Sequence, residues 1–500
     1  MRQVKVLGLL GTGVIGGGWA ARALHLGIDV IAMDTRPEME AWIRGAVENA
    51  RGALSRLTLA PLPPEGKLSF TTELEVIARA ADFIQENIPE QLELKQRVLA
   101  QVSRAAPADV VIASSTSGLL PSDLQREMTA PERFLVAHPF NPVYLLPLVE
   151  LVGGQRTSAA ALDAAERFYR EIGMHPLRVR REVPGHLTDR LQEALWREIL
   201  HLVNDGVAST GELDDAIVYG PGLRWAGMGT NLIYHLAGGE TGMRHMLRQF
   251  GPCLKWPWTR LEAPELTEEL IDRMVEGTQA QANGRSIREL ERLRDEYLLA
   301  IQQVLKQFDL GAGSTLRDLE ERLYERSGRE AGAGLDAALA AGGGAPVRML
   351  ETYVRPEWID YNGHMTDSRY LQVFGDATDA LFRWAGVDDG YRKAGRAMYT
   401  LESHVTHVAE AKALEPLYVT TQLLELDAKR VRVYHGLHRR RDEALIATAR
   451  QLYVHVDTRA GRAAPFEPSV HARLERVRIA HAGLPTPADR ASARTPSPNG

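Results

Sequence analysis

His138 and Glu150 lie twelve residues apart, in a segment interrupted by Pro139, Pro142 and Pro147. Proline removes a backbone donor and fixes φ, so the segment cannot be one helix. Its end, Leu-Val-Glu-Leu-Val, reads as a short buried strand. A turn and a returning strand would bring Glu150 to the His138 ring. A carboxylate there fixes the imidazole tautomer and raises its basicity, which is what a general base acting on an alcohol requires. Ser117 lies twenty-one residues earlier, at the C-terminal end of an apolar run over 110–113. Its hydroxyl is placed to orient the substrate oxygen.

An acceptor for the reaction is suggested by the first 34 residues. An apolar run at 4–10 leads directly into Gly11-Thr-Gly13-Val-Ile-Gly16 and then a helical pattern. A second apolar run over 29–33 ends at Asp34. The reading is strand, glycine turn, helix, strand, acid. Gly11 makes the tight turn, Gly13 lets the backbone approach a diphosphate, and Gly16 lets the helix pack on the strand. The diphosphate would rest on the helix N-terminus. Asp34 accepts hydrogen bonds from the adenosine ribose and repels a 2′-phosphate, so the expected cofactor is NAD.

Composition narrows the setting. A chain of 500 residues is too long for one core and implies two to four domains. Its net charge of −6 argues against nucleic acid or an anionic membrane as partner. Arg439, Arg440 and Arg441 read as a solvated hairpin tip. The single cysteine, Cys253, excludes an internal disulfide and a multi-cysteine metal site, and no metal is expected. It fits a reducing cytoplasm. No apolar run reaches the roughly 18 residues of a membrane span, and Val4 opens a strand where a signal peptide would begin.

Ala113-Ser-Ser-Thr-Ser117, His138-Pro-Phe-Asn141-Pro, Glu150 and Pro184-Gly185 before a long helix together resemble the 3-hydroxyacyl-CoA dehydrogenase superfamily over residues 4–310. The resemblance implies His138 as base, Glu150 as its orienting partner, and Ser117 and Asn141 at the substrate oxygen. It also places Glu90 and Lys95 near the cofactor. In two places this sequence departs from the family pattern. The usual His-Phe-Phe-Asn is His138-Pro139-Phe140-Asn141, and the asparagine after Pro-Gly is Asp189. Both argue against a CoA thioester as the dehydrogenase substrate.

Helical periodicity follows over 187–203, through Leu187, Leu191, Leu195, Ile199 and Leu202, then over 213–218, 231–236, 243–250, 265–281 and 287–308. In the family such a domain closes the site and forms a homodimer. Tyr219-Gly-Pro-Gly-Leu-Arg224-Trp225 is similar to the hydroxy-acid branch of the superfamily that includes lambda-crystallin. A loop arginine takes a carboxylate through two parallel hydrogen bonds, so Arg224 suggests a free β-hydroxy acid. Trp225, Tyr219 and Trp196 are the aromatics favoured for a quaternary ammonium, which binds ring faces because it cannot donate hydrogen bonds. A β-hydroxy acid without that group, or a 3-hydroxyacyl-CoA, is the neighbouring reading.

Residues 311–328 read as a short polar helix and 331–346, ending in Gly342-Gly-Gly-Ala-Pro, as a flexible linker. At Val347 the pattern changes to a strand, then Asp360-Tyr-Asn-Gly363-His-Met, one amphipathic helix over 368–385, and strands over 398–408, 417–427, 430–439 and 445–457. One helix and an antiparallel meander suggest a hot-dog fold. Asp-x-x-Gly with this helix resembles the 4-hydroxybenzoyl-CoA thioesterase family over 347–470. That resemblance implies Asp360 as nucleophile or water-activating base for an acyl-CoA, with helix N-terminal amides polarising the thioester carbonyl. It also implies self-association, because such sites usually lie between subunits. The expected order is thus an α/β Rossmann domain at 1–185, an all-α dehydrogenase domain at 186–310, a linker at 311–346, an α+β hot-dog domain at 347–475 and a disordered tail at 476–500, whose Pro-Ser-Ala-Arg bias sets in at 482.

Overall fold

The computed structural model describes residues 3–485 except 228, 239, 241, 251–255, 260–264 and 266. Cys253 and the tail beyond 485 lie outside the described residues. The chain forms two compact units. The first comprises residues up to Leu57 and Glu65–Leu319; the second comprises Thr58–Pro64 and everything from Glu320.

The first unit is built on an eight-stranded sheet. Its strands are β1 (Val6–Leu10), β2 (Asp29–Met33), β3 (Leu68–Thr71), β4 (Phe83–Glu86), β5 (Val111–Ser114), β6 (Phe134–Pro139), β7 (Leu148–Val152) and β8 (His175–Val179). They lie in the order β3-β2-β1-β4-β5-β6-β7-β8. The strands are short, and β4, β5 and β6 are buried throughout, as parallel strands covered on both faces must be. β1 pairs in parallel with both β2 and β4, so the order reverses there and opens a crevice at the strand C-termini. β7 runs antiparallel to β6, and the chain between them, broken by Pro142 and Pro147, turns back instead of forming a helix. The expected strands are all found, within two residues at their ends.

Arg22, on the helix Val14–His25, is buried and fastens the sheet's far side. Its guanidinium donates to the carbonyls of Val143, Ile172 and Gly173. Burial lowers its pKa to about 9. These bonds tie the glycine-turn helix to the chain just beyond His138.

Helices follow at Thr188–Asn204, Thr210–Val218, Thr230–Ala237, Gly242–Phe250, Glu268–Ala282 and Ile287–Phe308. Ser209 and Ser286 each close a capping box with a glutamate, which explains two of the starts. The expected apolar periodicity of the first helix is present, but only its C-terminal end joins a core, a small cluster of Leu200 and Val203 with Leu270. Leu191 is 75% exposed and Leu195 and Trp196 stand open beside it, while Leu200 and Val203 alone are buried on that helix.

The expected linker is corrected by the structure. Gly311–Ala340 is one continuous helix. Its buried Leu316, Leu319, Leu323, Ala331 and Leu335 recur at helical spacing. Alanine supplies propensity where glycine weakens it, and packing decides the outcome. The three glycines mark the stop, with Gly342 and Gly343 at positive φ.

The second unit has a six-stranded antiparallel sheet in the order β10-β13-β12-β11-β9, with β14 beside β13. Here β9 is Val347–Tyr353, β10 Arg396–His407, β11 Pro416–Leu426, β12 Arg430–Arg439, β13 Leu445–Asp457 and β14 Arg462–Ala463. The helix Asp367–Ala385 packs its Tyr370, Phe374, Ala377 and Leu381 face on the sheet, the hot-dog arrangement. Ala331 and Leu335 belong to the same core. Arg355 donates to the carbonyls of Thr58 and Ala60, which is why that short segment belongs to this unit. The tail expected from 476 does not begin there. Pro468–His481 is a helix whose Leu474 and Val477 are buried.

Leu335 is fully buried in that core, so Leu335→Ala should destabilise the second unit by about 2–5 kcal/mol, the cost of lost burial plus a cavity. Urea denaturation followed by loss of thioester hydrolysis in the full chain measures it. A flexible linker would show no change.

Candidate active site

The returning strand delivers Glu150 as expected. His138 on β6 and Glu150 on β7 are direct cross-strand partners. His138 Nδ1 lies 3.0 Å from Glu150 Oε2. Glu150 is wholly buried. Its other oxygen, Oε1, accepts from the Leu187 amide at 3.1 Å, the Thr188 amide at 3.0 Å and the Thr188 hydroxyl at 3.1 Å. Burial pushes the Glu150 carboxyl up, but the His138 and Thr188 donors outweigh it and hold the pKa below the usual carboxylate range. The carboxylate is therefore ionised and can only accept. Nδ1 of His138 must carry the proton, leaving Nε2 as the bare basic nitrogen.

Three groups lie beside the His138 ring. Asp189 Oδ2 is 3.8 Å away. The Phe140 ring packs edge-on at 4.6 Å between centroids. The His186 ring lies 5.6 Å off. His186 is buried at a positive φ of 47° and donates from Nε2 to the Thr116 carbonyl at 3.3 Å. Burial and the neighbouring His138 lower its pKa, so it stays neutral. Its bond to Thr116 draws the Ser117 loop toward the His138 end of the sheet.

Ser117 itself is exposed, and its amide donates to Glu90 Oε1 at 3.1 Å. Asn141 lines a cleft of about 510 Å³ with Val14, Gly18 and Arg294, close to the start of the glycine-turn helix. Glu90 accepts from the Thr116 hydroxyl and lies 3.3 Å from Lys95. Lys95 is buried and pairs more closely, at 2.7 Å, with buried Glu86. Lys95 thus braces the loop after β4. Sequence reading missed Glu86, His186 and the Leu187 and Thr188 amides; their types repeat no motif, and only the folded strand ends bring them together.

At the switch point Gly11 has φ +87°, and a Cβ there would stand 2.7 Å from the Asn87 carbonyl oxygen. A Cβ on Gly16 would collide with the Gly11 carbonyl. Gly13, the N-cap of the helix Val14–His25, faces open space, and no side chain caps that helix. Its amides are free for an anion. Asp34 follows β2 and is held by the Thr12 hydroxyl at 3.0 Å and the Arg36 amide at 3.2 Å. These residues fit a dinucleotide with an unphosphorylated adenosine ribose.

Arg224 and Trp225 lie on the short helix Gly222–Trp225. Arg224, Trp225, Tyr219 and Trp196 are all exposed. Among the described residues no hydrogen bond or ring contact joins them to His138.

In the second unit Asp360 Oδ1 accepts from the Asn362 amide at 2.8 Å, an Asx turn. Gly363, at φ +81°, lets the chain double back so that the Asp360 amide reaches the His364 carbonyl at 2.9 Å. His364 Nε2 is 2.8 Å from Glu410. The helix that follows has no side-chain hydrogen bond at its N-cap, Thr366. Asp360 therefore sits on a tight turn just ahead of that helix, whose Ser368 and Arg369 amides donate to Asp367 Oδ1 and the Thr366 carbonyl.

Fold and site define an NAD-dependent dehydrogenase of the 3-hydroxyacyl-CoA dehydrogenase class joined to a thioesterase-like domain. Family models agree. The 3-hydroxyacyl-CoA dehydrogenase NAD binding domain matches residues 6–183, the C-terminal domain of the same family 185–284, and the thioesterase-like superfamily 354–474. The L-carnitine dehydrogenase/betainyl-CoA thioesterase of Rhizobium meliloti (strain 1021) is 48% identical over 97% of this chain and 98% of its own length. The L-carnitine dehydrogenase of Pseudomonas aeruginosa is 59% identical over 61% of this chain and 95% of its own. Among solved structures, an NAD+-dependent 5-formyl-3-hydroxy-2-methylpyridine 4-carboxylic acid 5-dehydrogenase matches 61% of this chain and 99% of that one, at 25% identity and TM-score 0.52. The chain belongs to the L-carnitine dehydrogenase/betainyl-CoA thioesterase family.

Glu150→Gln removes the charge that stabilises a protonated His138 and lets an amide compete for Nδ1. It should lower dehydrogenase kcat by about 10²–10⁴-fold. NADH binding, followed by fluorescence, should stay unchanged. A fall in binding that matched the fall in rate would assign Glu150 to cofactor binding instead.

Proposed function

We propose that this protein oxidises L-carnitine to 3-dehydrocarnitine through the His138–Glu150 pair and hydrolyses betainyl-CoA at Asp360. The buried, correctly oriented imidazole with a bare Nε2 carries the first half of the reading. Similarity along nearly the whole chain to bifunctional relatives supports the pair of substrates.

His138 Nε2 takes the proton of the 3-hydroxyl while Glu150 stabilises the imidazolium that forms. Ser117 and Asn141 hold the substrate oxygen. Bound NAD+ supplies the acceptor for the C3 hydride. Arg224 takes the carboxylate, and Trp225, Tyr219 and Trp196 offer ring faces to the trimethylammonium group. In the second unit Asp360 attacks the thioester or activates water, and the positive end of the dipole of the helix Asp367–Ala385 polarises its carbonyl.

The working form in this reading is a cytoplasmic homodimer. The open Leu191, Leu195 and Trp196 face supports association, since a helix stripe of this kind is stable only against a partner surface. β10, an exposed edge strand of twelve residues, supports a second contact of the same kind. None of the described helices is long and apolar enough to cross a membrane.

NADH formation at 340 nm with L-carnitine, D-carnitine, 3-hydroxybutyrate and gulonate tests the dehydrogenase. The expected result is turnover of L-carnitine, with His138→Ala lowering kcat by about 10²–10⁴-fold. Comparable turnover of 3-hydroxybutyrate would reduce the activity to a general β-hydroxy-acid dehydrogenase. Asp360→Asn should abolish betainyl-CoA hydrolysis, read by thiol release, and leave NADH formation intact. Preference of the wild-type chain for unrelated acyl-CoAs would sink the thioester assignment.

A further inference from the structure

Asp189 has no role in the proton transfer described above, yet it is the charged side chain nearest the bare nitrogen of His138 apart from Glu150. It stands in the first turn of the helix Thr188–Asn204, with Oδ2 at 3.8 Å from Nε2. Its side chain is 28% exposed. Among the described residues no lysine or arginine pairs with it. Glu150, already saturated by four donors, lies on the other side of the imidazole. The pocket therefore presents a second carboxylate, partly desolvated and without a cationic partner. Burial raises its pKa, opposed by His138, as expected for a carboxylate lacking a matched charge.

The proposed substrate supplies that charge at a fixed place. The hydroxyl must come within hydrogen-bond reach of His138 Nε2 to lose its proton. In a 3-hydroxy-4-trimethylammonio acid the nitrogen is three bonds from that oxygen. Staggered rotamers hold the two atoms roughly 3–4 Å apart. A cation is thus delivered to the immediate neighbourhood of Nε2, where Asp189 is. A 3-hydroxyacyl thioester has no charge there, and an unpaired carboxylate would only cost desolvation.

We propose that Asp189 is the counter-charge for the quaternary ammonium and sets the preference for a cationic β-hydroxy acid. The inference rests on the L-carnitine reading and adds to it. Aromatic faces exclude water and shape the methyl groups, while Asp189 supplies the electrostatic attraction. The attraction needs no hydrogen bond, which a trimethylammonium group cannot donate. It works through space in a partly water-excluded pocket, where a unit charge pair is worth several times its value in bulk water.

The test uses the full chain and two substrates of one shape: L-carnitine, and 3-hydroxy-5,5-dimethylhexanoate, in which carbon replaces the charged nitrogen. Asp189→Asn keeps the size and removes the charge. It should lower kcat/KM for L-carnitine by about 10–100-fold, mainly through KM. For the neutral analogue it should leave kcat/KM unchanged or raise it. Binding of 4-trimethylammoniobutanoate, which has no hydroxyl to oxidise, should weaken by the same factor in calorimetry. Unchanged betainyl-CoA hydrolysis and NADH binding show that the variant is folded. An equal loss for both substrates would overturn the proposal and make Asp189 a positioning residue for His138. So would an unchanged KM for L-carnitine. Failure of the wild-type enzyme to oxidise L-carnitine at all would appear before any variant is made, and would sink the substrate reading together with this assignment.

Discussion

One buried carboxylate organises the dehydrogenase. Glu150 lies at the centre of an antiparallel pair with no access to water, and an ionised group there is tolerated only when its oxygens are satisfied. One oxygen faces the imidazole; the other collects two amides and a hydroxyl at the entry to the Thr188–Asn204 helix. The position of that helix is thereby coupled to the tautomer of His138. Reversing β7 against β6 is what makes the coupling possible. A parallel crossover would have placed Glu150 many residues away. The same helix entry presents Asp189 to the far side of the ring, so one structural junction decides both basicity and the charge seen by the substrate.

Much of this was legible before folding was known. The glycine turn, the acid after β2, and the His138/Glu150 spacing each carry a local physical signature, because turn sterics and strand reversal act within a few residues. The hot-dog strands were legible for a similar reason: alternating residues bounded by turns. What stayed hidden depends on distant segments. His186 and the loop of Thr116 and Ser117 meet only because β5 and β6 are neighbours and the chain returns past them. The Gly311–Ala340 helix was misjudged because glycine and alanine content signals flexibility when read alone. Leucines a turn or two apart, buried by the rest of the fold, outweigh that signal.

The helical region shows the opposite case. Its helices were found at their places, and their apolar faces were correctly located on them. What the periodicity did not give is which of those residues the chain itself covers. Leu191 and Leu195 keep helical spacing while facing outward. A hydrophobic stripe reports that a surface will be covered, not which molecule covers it. Trp225 and Tyr219 are exposed in the same way.

The assignment of Thr58–Pro64 to the second unit has a consequence for how this protein can be taken apart. A cut anywhere between the two enzymes leaves seven residues of the thioesterase half stranded in the dehydrogenase half. The carbonyls of Thr58 and Ala60 would then lose the guanidinium of Arg355, and Arg355 would lose those two bonds. The fusion is thus interlaced rather than strung end to end. Division into two separate genes would have to replace those two bonds as well as the linking chain.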